Sequence, residues 1–112
     1  MPETLPEEID VEAAAALLED PSAARWIDCR EIDEWHICHI EGAELIPLSS
    51  FAETAPHKLT DPSQRLIVYC HHGVRSLNAT RWLRSKGHSQ AQSLSGGIDR
   101  WTDLIDPEMR RY

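Results

Sequence analysis

The stretch "RLIVYCHHGVRS", residues 65–76, decides how this sequence reads. Arg65–Tyr69 is a short apolar run of the kind that forms a strand buried on both faces. From Arg75 to Lys86 the pattern turns helical. Ser76, Ala79, Thr80 and Leu83 share one face, and Gly87 is placed as a C-terminal cap. Cys70 to Ser76 therefore spans a strand end and the first turn of a helix. The first four amides of a helix have no internal partner, so they point into such a loop and, with the helix dipole, form an anion site. Gly73 supplies the positive φ or close backbone approach that a cradle of this kind needs. A thiol at its mouth would be held as thiolate, its pKa falling from about 8.5 towards 3.5–7.5. Arg75 adds a permanent positive charge at the same place. The expected nucleophile is Cys70, with His71, His72, Gly73, Val74, Arg75 and Ser76 forming its substrate-binding loop.

The spacing sharpens that reading. Four residues separate Cys70 from Arg75, whereas cysteine phosphatases place five between the same two residue types, making a wider ring for a tetrahedral phosphate. The shorter loop should close more tightly around the cysteine and suit a single sulfur atom. His71 and His72 would face outward, towards substrate. No metal is expected: neither they nor "HICH" (36–39) repeat a C-x2-C or H-x3–5-H spacing.

Working outward, Asp10 can cap a helix that Asp20-Pro21 ends. Trp26-Ile27-Asp28 reads as a short strand. "EIDEWHICHIEG" (31–42) reads as a helix closed by Gly42, and Glu44–Ile46 as a brief strand. Ser50 and Glu53 have capping-box spacing for a helical turn, followed by a loop at "TAPHKLTDPSQ" (54–64). "AQSL" (91–94) is a further strand, and "GGIDRWTDLI" opens a last helix. The four tryptophans read as core. Strands alternating with helices predict an α/β domain with a mostly parallel sheet, whose chemistry gathers at the C-terminal strand ends.

Composition bounds the function. At 112 residues the expectation is one domain over 1–112, and 41% hydrophobic with 27% charged side chains is ordinary for a soluble protein. The net charge is −8, with 14 acidic and 2 basic side chains in residues 1–53 against 5 and 9 in residues 54–112. Only Lys58 and Lys86 are lysines, which argues against a nucleic-acid footprint. No apolar run reaches membrane-spanning length, and "MPETLPEEID" lacks the basic start and apolar stretch of a secretory signal, so the expected compartment is the cytoplasm. Three cysteines, Cys29, Cys38 and Cys70, argue for reduced thiols. Cys29 and Cys38 read as packing residues, although either, if within reach of Cys70, could collapse a persulfide into a disulfide.

Four segments together, "IDCRE" (27–31), "EWHICHIEGAELIP" (34–47), "VYCHHGVRS" (68–76) and "LSGGIDRW" (94–101), resemble the landmarks of a single-domain rhodanese, in the family's order. One departure is Cys38, where the family usually carries a glycine before the histidine. The resemblance implies a three-layer fold with a five-stranded parallel sheet flanked by helices. It also implies a six-residue active loop from Cys70 to Arg75, with Cys70 taking a sulfane sulfur from a small anion donor such as thiosulfate. A thiophilic acceptor, cyanide or a thiol, then removes it in a ping-pong transfer without metal or organic cofactor. Asp28, Arg30 and His39 fall on landmarks and are expected to anchor loops by hydrogen bonds and an ion pair. A sulfur-relay protein is the alternative partner, in which case the domain would be a persulfide carrier. A phosphatase or arsenate reductase on the same fold is a further reading, and the last is a non-catalytic interaction domain of the family, which usually lacks the cysteine kept here.

Overall fold

The computed structural model describes residues 5–112; residues 1–4, the start of the acidic N-terminal stretch, lie outside the described residues. Five strands form one parallel sheet: β1 (Glu8–Ile9), β2 (Arg25–Asp28), β3 (Glu44–Leu45), β4 (Leu66–Tyr69) and β5 (Ala91–Leu94), in the order β1-β5-β4-β2-β3. β4 lies at the centre, and all four of its residues are buried. Parallel strands covered on both faces read as continuous apolar runs rather than alternating ones, which is why "LIVY" was visible in the sequence.

Helices α1 (Val11–Leu17), α2 (Ile32–Ile37), α3 (Phe51–Lys58) and α4 (Val74–Ser85) connect the strands, and α5 (Gly97–Leu104) follows β5. Side chains alternating along each strand divide the core in two. Ile27, Cys29, Val68 and Cys70 pack with Phe51 and Ala55 of α3 and Ala79 and Leu83 of α4. On the other face Trp26, Ile67, Tyr69 and Leu94 meet Val11 and Ala14 of α1 and Ile98 and Trp101 of α5. The result is the expected three-layer arrangement. Among the described residues no helix is long and apolar enough to cross a membrane.

Most expected elements are present. The Asp10 carboxylate accepts from the Ala13 N–H at 2.7 Å and caps α1, and Gly87 follows α4 with φ +103°. Ser76, Ala79, Thr80 and Leu83 form the buried face of α4. Four expectations needed correction. Helix α2 stops at Ile37 rather than at Gly42, because the Arg30 guanidinium takes the Cys38 carbonyl at 2.6 Å and the chain turns extended there. Gly42, with φ +92°, serves the turn before β3 instead. Ser50 makes no side-chain cap, and residues 54–58 continue α3 through Pro56 instead of forming a loop. The proline sacrifices one helical hydrogen bond, while Phe51 and Ala55 anchor that helix in the core. Finally, of the four tryptophans only Trp26 and Trp101 are buried, edge to face at 5.5 Å. Trp35 and Trp82 are half-buried.

Candidate active site

Cys70 stands at the C-terminal end of β4, the central strand, and is 1% exposed. The chain then turns through His71, His72 and Gly73 into α4. Gly73 has φ +103°, and a Cβ there would meet the Gly96 amide at 3.1 Å, so both its conformation and its surroundings favour glycine. This turn aims two amides at the sulfur. Cys70 Sγ accepts from Gly73 N–H at 3.1 Å and from Ser76 N–H at 3.3 Å, with Ser76 Oγ at 3.4 Å. Ser76 is buried, and its hydroxyl lies 2.7 Å from that of Ser93 on β5. Either hydroxyl can donate to the other, and Ser76 Oγ also lies 3.3 Å from the Gly73 carbonyl; beside a Cys70 thiolate the Ser76 hydroxyl is a donor to the sulfur. The loop amides and the Ser76 hydroxyl thus gather around Cys70 Sγ.

The outer side of the loop is fixed from behind. The first amides of α5 take up the loop's carbonyls: Ile98 N–H donates to Cys70 O at 2.9 Å and Asp99 N–H to His71 O at 3.0 Å. Pointing the carbonyls towards α5 turns the amides towards the sulfur. Gly97, with φ +63°, makes that approach feasible, because a Cβ would stand 2.6 Å from Cys70 O. Two helix N-termini therefore converge on one loop.

Electrostatically, the thiol of Cys70 is held well below the ordinary thiol range. The Cys29 thiol beside it is the largest cause, followed by the Ser76 hydroxyl and the Ser76 and Gly73 amides, all acting against burial. The reciprocal effect pushes the Cys29 thiol upward: next to a thiolate, and buried, it keeps its proton. Of these two neighbouring sulfurs, Cys70 is the one held towards the thiolate.

Arg75 does not stand alone over the loop. Its two terminal nitrogens pair with both oxygens of Glu34 on α2, at 2.9 and 2.8 Å. The Glu34 carboxyl is lowered to about 2, chiefly by that pairing. Arg75 thus orders the cradle by tying α4 to α2, while its charge still favours an anion at Cys70. His71 is half-buried and His72 exposed. Their rings stack at 3.9 Å, and Tyr112 stacks on the other side of His71, also at 3.9 Å. Burial, then His72, lowers the His71 pKa. His71, His72 and Asp99 bring one ligand atom each within 4.8 Å of the others, but the Asp99 carboxylate is paired with Arg111 at 2.9 Å, so the group reads as an electrostatic cluster at the loop's rim. Val74 is 71% exposed on the same rim.

The supporting residues divide. Asp28 and Arg30 form a fully buried ion pair at 2.6 Å, and Arg30 reaches on to the Cys38 carbonyl and to Tyr112 Oη at 2.8 Å. These contacts join Asp28 at the end of β2 to the segment that follows it. His39 takes no part in them: it is exposed, stacks on Trp35 and has Nδ1 3.0 Å from the Trp35 carbonyl. Cys38, replacing the usual glycine, has φ −165°, an extended conformation open to any residue. Glu34, Ser93 and Tyr112 carry no local signal of a role and enter the site only through folding. Gly96-Gly97, part of the "LSGGIDRW" segment, lets the first turn of α5 approach the loop carbonyls.

The chain belongs to the rhodanese-like domain family, whose model matches residues 10–104. It is 37% identical over 86 residues to the probable adenylyltransferase/sulfurtransferase MoeZ of Mycobacterium tuberculosis, covering 77% of this chain and 22% of that protein. It is 31% identical over 87 residues to a tRNA uridine(34) hydroxylase of Escherichia coli, covering 74% of this chain and 25% of that protein. The chain thus spans about a quarter of the length of these two relatives. The human single-domain sulfurtransferase TSTD1 has the same fold, with a TM-score of 0.80 at 24% identity over 89% of this chain and 98% of that one. Sulfurtransferases are thus among its relatives.

Proposed function

We propose that this domain, acting in the cytoplasm, transfers sulfane sulfur through a Cys70 persulfide, taking it from a small anion donor such as thiosulfate and passing it to cyanide or a thiol. The carrying observation is the Cys70 sulfur at the focus of the Gly73 and Ser76 amides and the Ser76 hydroxyl. In the first half-reaction the Cys70 thiolate attacks the outer sulfur of thiosulfate, and sulfite leaves with the bonding electrons. The persulfide's negative charge then rests on the outer sulfur, where loop amides and the Arg75 charge stabilise it. In the second half-reaction the acceptor attacks that sulfur and Cys70 leaves as thiolate. Its lowered pKa makes it a good leaving group as well as an available nucleophile. No step calls for a metal or organic cofactor.

A persulfide-carrier reading draws support from the exposed rim of His72 and Val74 and from relatives in which such a domain forms a fraction of a longer protein. On that reading a sulfur-relay protein loads Cys70, and thiosulfate is a poor donor. A phosphatase reading suffers from the short loop. A tRNA-directed role is disfavoured by the net charge of −8. The test is intact-protein mass after incubation with thiosulfate, with and without cyanide. We expect a gain of one sulfur atom that cyanide reverses and that Cys70→Ser abolishes. Sulfur gained only from a protein donor would favour the carrier, and turnover of phosphate esters would overturn both.

A further inference from the structure

Cys29 remains without a function in this scheme, and its position is specific. β2 and β4 run parallel in register, Ile27 beside Val68 and Asp28 beside Tyr69, and the Cys29 N–H donates to Tyr69 O at 3.0 Å. One step further along both strands, Cys29 and Cys70 are neighbours. Both point into the same half of the core as Ile27 and Val68. Neighbouring strands lie about 4.7–4.9 Å apart, inside the Cα separation of roughly 4.4–6.8 Å that a disulfide spans. Cys38 packs on the opposite face of the sheet, beside Arg30. Of the two remaining thiols, only Cys29 adjoins the reactive sulfur.

We infer that Cys29 is a resolving cysteine: it attacks the inner sulfur of the Cys70 persulfide and releases the transferred sulfur as hydrosulfide. This rests on the Cys70 persulfide proposed above. A bond forms between the two Sγ atoms, the bond from Cys70 Sγ to the outer sulfur breaks, and the outer sulfur leaves with the electron pair. The Cys29 proton leaves with it. The sulfane sulfur is reduced to sulfide while the two cysteine sulfurs are oxidised to a disulfide, so no other oxidant enters. A low-molecular-weight thiol then reduces the disulfide by exchange and restores both residues.

The charge on Cys70 also bears on the timing of this step. Beside a Cys70 thiolate, the Cys29 thiol holds its proton and is inert. Once Cys70 carries the sulfane sulfur, the negative charge has moved to the outer atom and that restraint is relaxed. The amides reach Cys70 from the loop and α4 while Cys29 approaches from β2, so the cradle remains with the departing hydrosulfide. The domain would then have two exits for its sulfur: transfer to an acceptor that reaches the loop, or release as sulfide when none arrives.

The experiment follows the mass of the reduced full chain after loading by thiosulfate or by inorganic polysulfide, the excess donor being removed and no thiol added. In the unmodified chain we expect the species one sulfur heavier to decay to one that is two hydrogens lighter than the reduced protein. Peptide mapping should join Cys29 to Cys70, with one sulfide released per disulfide. In Cys29→Ala and Cys29→Val, the second filling more of the buried site, persulfide lifetime should lengthen about tenfold or more. Cyanide should still discharge both variants, but more slowly than the unmodified chain, because Cys70 loses the neighbour that most lowers its pKa. A persulfide that persists equally in all three proteins, or a disulfide that omits Cys29, would overturn this inference and leave sulfur transfer standing. Failure of Cys70 to accept sulfur from either donor would overturn both.

Discussion

Arg75 and Glu34, forty-one residues apart in the chain, form a two-pronged ion pair that ties the start of α4 to α2. Glu34 titrates at about 2 because of it. In Arg75→Ala the carboxyl should return towards its ordinary value of about 4.3, which NMR titration would read directly. The sign for stability follows. A depressed carboxyl stabilises the fold above its unfolded pKa and loses that contribution as pH falls towards about 2. Arg75→Ala should therefore show a shallower loss of stability below pH ~4 than the unmodified chain. With Arg75 side chain 36% exposed, the difference at neutral pH should stay within about 1 kcal/mol. Donor KM should rise with little change in fold.

Gly97 and Gly87 both have positive φ, but they differ in what surrounds them. A Cβ at Gly97 would run into the Cys70 and His71 carbonyls, whereas one at Gly87 would meet open space. Gly87→Ala should cost about 1–2 kcal/mol, the left-handed penalty alone. Gly97→Ala should cost more, and it should raise the apparent pKa of Cys70 by turning the loop amides away. Chemical denaturation and the pH dependence of Cys70 alkylation would separate the two effects.

The lowered Cys70 pKa predicts a pH profile. Thiolate is present above the folded pKa and lost below it, so alkylation of Cys70 should stay nearly level from pH ~8 to well below 7, where an ordinary thiol of pKa about 8.5 loses reactivity roughly tenfold per unit. Ser76→Ala removes the hydroxyl but keeps the amide. Its profile should move upward while the amide contribution remains. An unchanged profile would remove the hydroxyl from the cradle.

Asp28 and Arg30 are both fully buried, which makes single substitutions costly. Asp28→Ala leaves a buried guanidinium without its counter-charge and should cost about 3–5 kcal/mol by denaturant titration. A double replacement by apolar residues of similar volume should recover part of that loss. If Asp28→Ala cost under about 1 kcal/mol, the pair would not be anchoring the segment after β2.

The strand–loop–helix from Leu66 to Ser85 was legible in the sequence because its causes are local. A buried central strand must be apolar throughout, a cradle needs Gly73 at positive φ, and α4 repeats its buried face every turn. The proposed nucleophile followed from that local geometry. β1 was not legible by itself: two residues, Glu8 and Ile9, form a strand only because β5 offers a paired edge. Pro56 hid the continuation of α3, since core packing of Phe51 and Ala55 outweighs one lost hydrogen bond.

By itself, the sequence determined the family, the alternation of helices and strands from α1 onward and the identity of Cys70 as the candidate nucleophile. Each depends on residues close together or on landmarks in a fixed order. Only the tertiary structure decided which side chains surround that sulfur. Parallel pairing of β2 with β4 brought Cys29 alongside, β5 supplied Ser93, α2 brought Glu34 to Arg75, and the N-terminus of α5 took up the loop carbonyls. A parallel sheet gathers the ends of strands that are distant in the chain, so the neighbours that tune the sulfur are set by strand order rather than by sequence spacing.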